Sequence, residues 1–397
     1  MKNGIQTFIW SDGWWIEEDK AWFVDGVSNT LFNMNLATGE CNEVKHIPDL
    51  DKYTYRLTPF CYKCAGDIFC IPGWGKNIWV YNIENESFTE IVIDKSEHIQ
   101  FGAQCWRVDD TLFIVAANWN KIIEVSISQK IITNYYMVCE KDTIKGSVLA
   151  GGNIYAVSSG FSRVYQFNLS TKKVNTYLLS DMEKRFTTIC FDGEKFWLSG
   201  YQKELCIWDK EKDSLITINN FPDNFEINNI VKNKDDKTKM PVFNRSVFVG
   251  GYIWFIPIRL GKIIYADRKN TVLSVFEIYA ENETKDDVLW GEEQGIGNYL
   301  LEYVRDDRYM GLFSARNSRI LEIDTKELKY QWKKYYFSDK YLQQYCADCN
   351  GIYQEGGDPL HNQAYCRGIG SIEYKTNSID TSIGMRIYAK LAGEVME

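Results

Sequence analysis

The chain has 397 residues, 45% hydrophobic and 15% aromatic, with 45 Lys and Arg against 54 Asp and Glu for a net charge of −9. That composition supports a continuous core and excludes a disordered chain. Acidic and basic residues are mixed rather than blocked, which excludes phosphate-backbone binding as the main role. No run approaches the roughly 18 apolar residues that span a bilayer, so neither nucleic acid nor membrane is an expected partner.

At the start, Met1 to Trp10 has one early charge and a short apolar stretch before Ser11-Asp12-Gly13, which does not read as a secretory signal. The 11 cysteines are an odd number, and Cys70, Cys105, Cys190 and Cys206 sit in strand-like apolar contexts. The expectation is a cytoplasmic protein whose reduced thiols act as small core residues.

A unit then returns seven times. Each copy has an apolar hairpin arm around an aromatic: Ala21-Trp22-Phe23-Val24, Ile68-Phe69-Cys70-Ile71, Leu112-Phe113-Ile114-Val115 and Ile154-Tyr155-Ala156-Val157. It continues as Phe196-Trp197-Leu198-Ser199, Ile253-Trp254-Phe255-Ile256 and the most degenerate copy, Tyr309-Met310-Gly311-Leu312. A spacing near roughly 40 to 45 residues is that of a four-stranded propeller blade. Turn residues punctuate the copies at Ala65-Gly66, Asp109-Asp110, Gly151-Gly152, Asp192-Gly193, Gly250-Gly251 and Asp306-Asp307, types that tolerate positive φ or bond their own backbone. The fold class is therefore all-β: a seven-bladed β-propeller of four-stranded blades over residues 1–338, with a small C-terminal appendage over 339–397.

Two long connections, Asp223 to Pro241 and Ala280 to Asn298, fall between the last strand of one blade and the first of the next. They read either as tolerated surface insertions or as functional loops. In the tail, Ser382 to Leu391 has the apolar spacing of a short terminal helix. The segment Ile5 to Trp10 offers an alternative strand to complete the last blade.

The repeat resembles the degenerate kelch-like and WD-type propellers of bacteria. The best matches are Gly151-Gly152-Asn153-Ile154-Tyr155 with Val164-Tyr165-Gln166-Phe167-Asn168, and Asp192-Gly193-Glu194-Lys195-Phe196-Trp197 with Cys206-Ile207-Trp208-Asp209. Paired glycines precede the aromatic strand in only two copies. The resemblance implies a ring with one ligand-facing surface and a binding or scaffolding role; fold likeness alone assigns no activity.

In a propeller, the loop from second to third strand and the blade-to-blade connection open on one face. That face carries Trp74, Trp119, Phe161 and Tyr201 in four successive blades, and Arg259 and Arg316 in blades six and seven. Aromatics stack on sugar rings, and Arg forks onto carboxylate or phosphate, so such a groove suits a glycan or an anionic peptide. The competing structural reading is that each aromatic covers the top of its own blade. Basic residues Arg56, Lys145, Arg185 and Arg245 precede first strands, which line the channel; they form either an anion-binding mouth or solvated charge.

The tail places Cys346 and Cys349 three apart, then His361 and Cys366, a set able to share one zinc, although no known zinc module has this spacing; no other cofactor is expected. Cys61 and Cys64 look similar but occupy a strand, where residues three apart face opposite sides, and are read as structural. The 3 histidines, His46, His98 and His361, disfavour metal-lyase chemistry, and no nucleophile elbow or phosphate loop is present. The reading is a non-enzymatic binding or scaffolding propeller that recognises a protein partner or glycan on the loop face. The alternative is a carbohydrate-active enzyme, a glycosidase or lyase, using carboxylates at the channel mouth; a pair about 5 to 10 Å apart would favour it.

Overall fold

A computed structural model describes residues 11, 13–26, 28–48, 50, 58, 60–94, 102–158, 160–225, 241–257, 262–278, 299–314, 319–338 and 341. The described chain forms seven four-stranded antiparallel sheets, each from four consecutive strands. The innermost strands are Trp15–Glu17, Phe60–Cys64, Gly102–Val108, Ile144–Ala150, Phe186–Phe191, Phe243–Val249 and Tyr299–Arg305, and they meet their neighbours around a central channel. Seven blades close the ring, as the repeat predicts.

The burial pattern explains why the repeat was visible. Second strands lie between two neighbouring blades and are covered on both faces. Lys20–Asp25 and Ile253 to Pro257 in the strand Tyr252–Pro257 are accordingly buried almost throughout, giving the continuous apolar arms expected of doubly covered strands. Outer strands face solvent on one side, so Ser87–Val92 and Val174–Leu178 are mostly exposed or half-buried. Among the described residues, seven hydrophobic clusters fill the seven blade interfaces, including the one between blades seven and one. Cys61 packs between blades one and two and Cys64 between blades two and three, so the two thiols do face opposite sides.

Blade seven has its own four strands, Tyr299–Arg305, Tyr309–Ser314, Arg319–Asp324 and Lys329–Lys333; Ile5 to Trp10 lies outside the described residues. The chain instead returns to the outer edge of blade one, where Tyr336–Phe337 pairs in parallel with Glu40 and Cys41. Gly39 makes this possible. Its φ is +79°, its N–H closes the turn onto Asn35 O, and its carbonyl accepts from Tyr336 N at 2.9 Å. A Cβ there would sit 2.1 Å from the carbonyl oxygen of Lys334.

An aromatic relay runs across the same seam. Trp14 stacks on Phe23 at 4.7 Å and on Tyr303 of blade seven at 6.2 Å; Phe23 stacks on Phe32, which meets Phe337 edge-on at 5.2 Å. Tyr303 lies over Gly311, where any side chain would collide with its ring.

Behind the relay, buried Glu322 accepts from Tyr303 OH at 2.9 Å, Gln331 Nε2 at 2.8 Å and Lys333 Nζ at 2.9 Å. Arg305 lies 3.6 Å from it and reaches Asp19 of blade one at 3.2 Å. Burial pushes the Glu322 carboxyl up, but Lys333, Gln331 and Tyr303 outweigh it and hold the group below its ordinary value. A carboxyl lowered in the folded state stabilises fully above its unfolded pKa and loses that contribution as pH falls through the folded one. Glu322→Gln is therefore expected to cost most near pH 7 and progressively less towards pH 3. Melting curves of both proteins across that range check it; a gap that does not shrink would contradict it.

Candidate functional site

Trp74, Trp119, Phe161 and Tyr201 lie in loops between second and third strands, but they differ in what they present. Trp74 lies half-buried between the second and third strands of blade two. Trp119 is 6% exposed, packs into the core between blades two and three, and meets Tyr135 edge-on at 6.1 Å. Its carbonyl accepts from Ile144 N at 3.0 Å, and Asn118 N donates to Ile144 O at 2.8 Å. These two bonds splice the loop of blade three to the first strand of blade four, so Trp119 caps its blade and offers little surface.

Phe161 is 42% exposed, and the Arg163 guanidinium lies 4.5 Å from its ring centroid. Asp142 sets the loop that carries Phe161: its carboxylate accepts from Gly160 N at 3.2 Å, Tyr165 OH at 2.8 Å and Ser158 Oγ. Ser158 Oγ in turn accepts from Phe161 N at 2.8 Å. In blade five, Tyr201 is half-buried beside the exposed Arg185. Burial raises the Tyr201 phenol and the Arg185 charge opposes that rise. Lys145 bonds Asn118 Oδ1, and burial lowers its ammonium. The loop face thus brings Tyr201 and Arg185 together in one blade and places Phe161 in the next. Arg56, Arg259 and Arg316 lie outside the described residues, as do Cys346, Cys349, His361 and Cys366. Among the described residues no group of three or more His, Cys, Asp or Glu is arranged for a metal ion.

Arg245 lies within the first strand Phe243–Val249 rather than before it, as Lys145 lies within Ile144–Ala150. Arg245 is half-buried in the wall of a channel cavity of about 540 Å³, bounded by the first strands. The cavity has Trp14, Trp15, Tyr62, Trp106, Phe248 and Tyr303 among its walls. Cys105, which packs against the core between blades two and three, also borders this cavity, as do the buried Cys61 and Cys190. Burial pushes all three thiols up, Cys190 to about 12, so they remain protonated and behave as apolar surface.

Two hydrogen-bonded chains that include wall residues cross blade boundaries. Gln104 Oε1 accepts from Ser147 Oγ at 2.8 Å, and Ser147 Oγ accepts from Trp106 Nε1 at 3.3 Å. Thr188 Oγ1 bonds Ser246 Oγ and, at 3.1 Å, Ser199 Oγ. The sequence places first strands and Arg245 at this channel, but the side chains that line it are spread over all seven blades. The small or polar residues in these strands, Ser147 and Ser246 among them, were the available signal.

Among the described residues no helix is long and apolar enough to cross a membrane. Against known proteins, the chain matches no family model and no curated sequence, so its assignment rests on the geometry of a seven-bladed β-propeller.

Proposed function

We propose that the chain is a kelch-like or WD-type binding or scaffolding propeller that recognises an anionic partner on the loop face of blades four and five. The partner is either an acidic protein segment or an anionic glycan. The observation that carries this reading is Phe161, an exposed aromatic on a hydrogen-bonded loop with the Arg163 guanidinium against its face. An aromatic with a cation on it contacts a sugar or peptide plane and a negative group together. Arg185, exposed beside Tyr201 on the next blade, extends the positive surface.

Two details of the described chain favour binding over glycoside chemistry. The described residues lining the channel include no Asp or Glu and therefore no carboxylate pair. The buried carboxylates of Glu322 and Asp192 are occupied by structural hydrogen bonds.

The test is a thermal-shift comparison of oligogalacturonate, a polyglutamate peptide and neutral cello-oligosaccharide. Wild type is expected to be stabilised by one or both anions and not by the neutral sugar. Phe161→Ala is expected to weaken that binding about tenfold while shifting unliganded stability by no more than about 0.5 kcal/mol, as for a surface substitution. Equal response to the neutral sugar, or undiminished binding by Phe161→Ala, would remove the loop face from consideration.

A further inference from the structure

We infer that the central channel is a second binding site, separate from the loop face, for a small aromatic monocarboxylate anchored by Arg245. Its volume of about 540 Å³ falls within the roughly 300 to 1,000 Å³ of small-molecule sites. The walls supply flat rings from different blades: Trp15 and Tyr62 lie 4.5 Å apart across blades one and two, and Trp14 is fixed by stacking on Phe23.

Charge selects among the ligands that such walls admit. Among the described lining residues Arg245 carries the only formal charge, so the cavity disfavours cations and favours one negative group. A guanidinium holds a carboxylate through two parallel N–H bonds.

The arrangement of polar groups argues against a sugar. Gln104, Ser147 and Trp106 already bond one another, as do Thr188 and Ser246. A polyhydroxylated ligand would give up its water without gaining partners along those walls. An aromatic acid has a single polar end to satisfy.

The test titrates the full chain with phenylacetate, 3-phenylpropionate and 4-phenylbutyrate, and with the corresponding amides, which keep size and shape but lack the charge. Calorimetry gives the affinity, and tryptophan fluorescence reports the site through Trp14, Trp15 and Trp106. The expected result is that at least one acid binds about tenfold or more tightly than its amide. Arg245→Gln is expected to bring the acid down to the affinity of the amide, with amide binding unchanged. Phe161→Ala, on the loop face, is expected to leave the titration as it is. Acid and amide binding equally, or no acid binding at all, overturns the inference. If Arg245→Gln does not fold, the acid and amide comparison on wild type decides alone.

Discussion

Gly39→Val is expected to lower stability by about 2–4 kcal/mol, because it combines a left-handed backbone forbidden to β-branched residues with a collision against the returning chain. The Cβ would lie 2.1 Å from Lys334 O, and the turn cannot move away without breaking the 2.9 Å bond from Tyr336 N to Gly39 O. The two causes are separable. Asn tolerates positive φ better than other residues, so Gly39→Asn relieves most of the backbone cost and keeps the collision. Gly152 has φ +70° and nothing within 4 Å of its hypothetical Cβ, so Gly152→Asn has neither problem. Denaturant melts are expected to show Gly39→Asn still strongly destabilised and Gly152→Asn near wild type. Equal losses at both sites would mean that the close approach of residue 334 contributes nothing.

Trp197→Ala is expected to cost about 3–5 kcal/mol, the range for removing a large aromatic from a core. Trp197 is 1% exposed between blades five and six and packs against Phe255. Its indole N–H also donates to Asp192 Oδ2 at 2.7 Å, while Asp192 Oδ1 accepts from the N–H groups of Glu194 and Lys195. Asp192 is itself buried, so losing the indole leaves a carboxylate oxygen short of a donor. Trp197→Phe keeps most of the ring and removes only that bond; its expected cost is about 1–3 kcal/mol. The two variants, measured by denaturant unfolding, divide packing from hydrogen bonding, and equal losses would show that the packing carries nothing.

The ring was legible in the sequence for a physical reason. A second strand such as Tyr252–Pro257 is enclosed by blades on both faces from Ile253 onward, so it has no polar positions to hide it, and seven such strands repeat at a blade's length. The Asp109 and Asp306 turns were also legible. Both residues take positive φ, and Asp110 receives Ser126 and Ser128 within its own blade, as turn-forming carboxylates do. The closure was not legible, because Tyr336–Phe337 is a two-residue strand whose partner lies at the opposite end of the chain. The candidate site was legible only in outline. Loop position was readable for Trp74, Trp119, Phe161 and Tyr201, but exposure was not: Trp119 and Phe161 occupy equivalent loops, yet one is spliced into the core and the other faces solvent. The lining of the channel was not legible for the opposite reason, since it is spread over seven strands and no single stretch of sequence contains it.

The pairing of Tyr336 with Glu40 has a consequence for synthesis. Roughly 300 residues separate the partners, and at about 5–20 residues per second the outer edge of blade one waits on the order of 15 to 60 s for its cover. During that interval Glu40 and Cys41, at the start of the strand Glu40–His46, present unpaired backbone to the surroundings, the kind of edge that recruits other strands. The strand's own side chains are the only protection available then: Glu40, Asn42, Glu43 and Lys45 all lie on that strand, and polar and charged residues on an open edge are what keep nascent chains from joining one another.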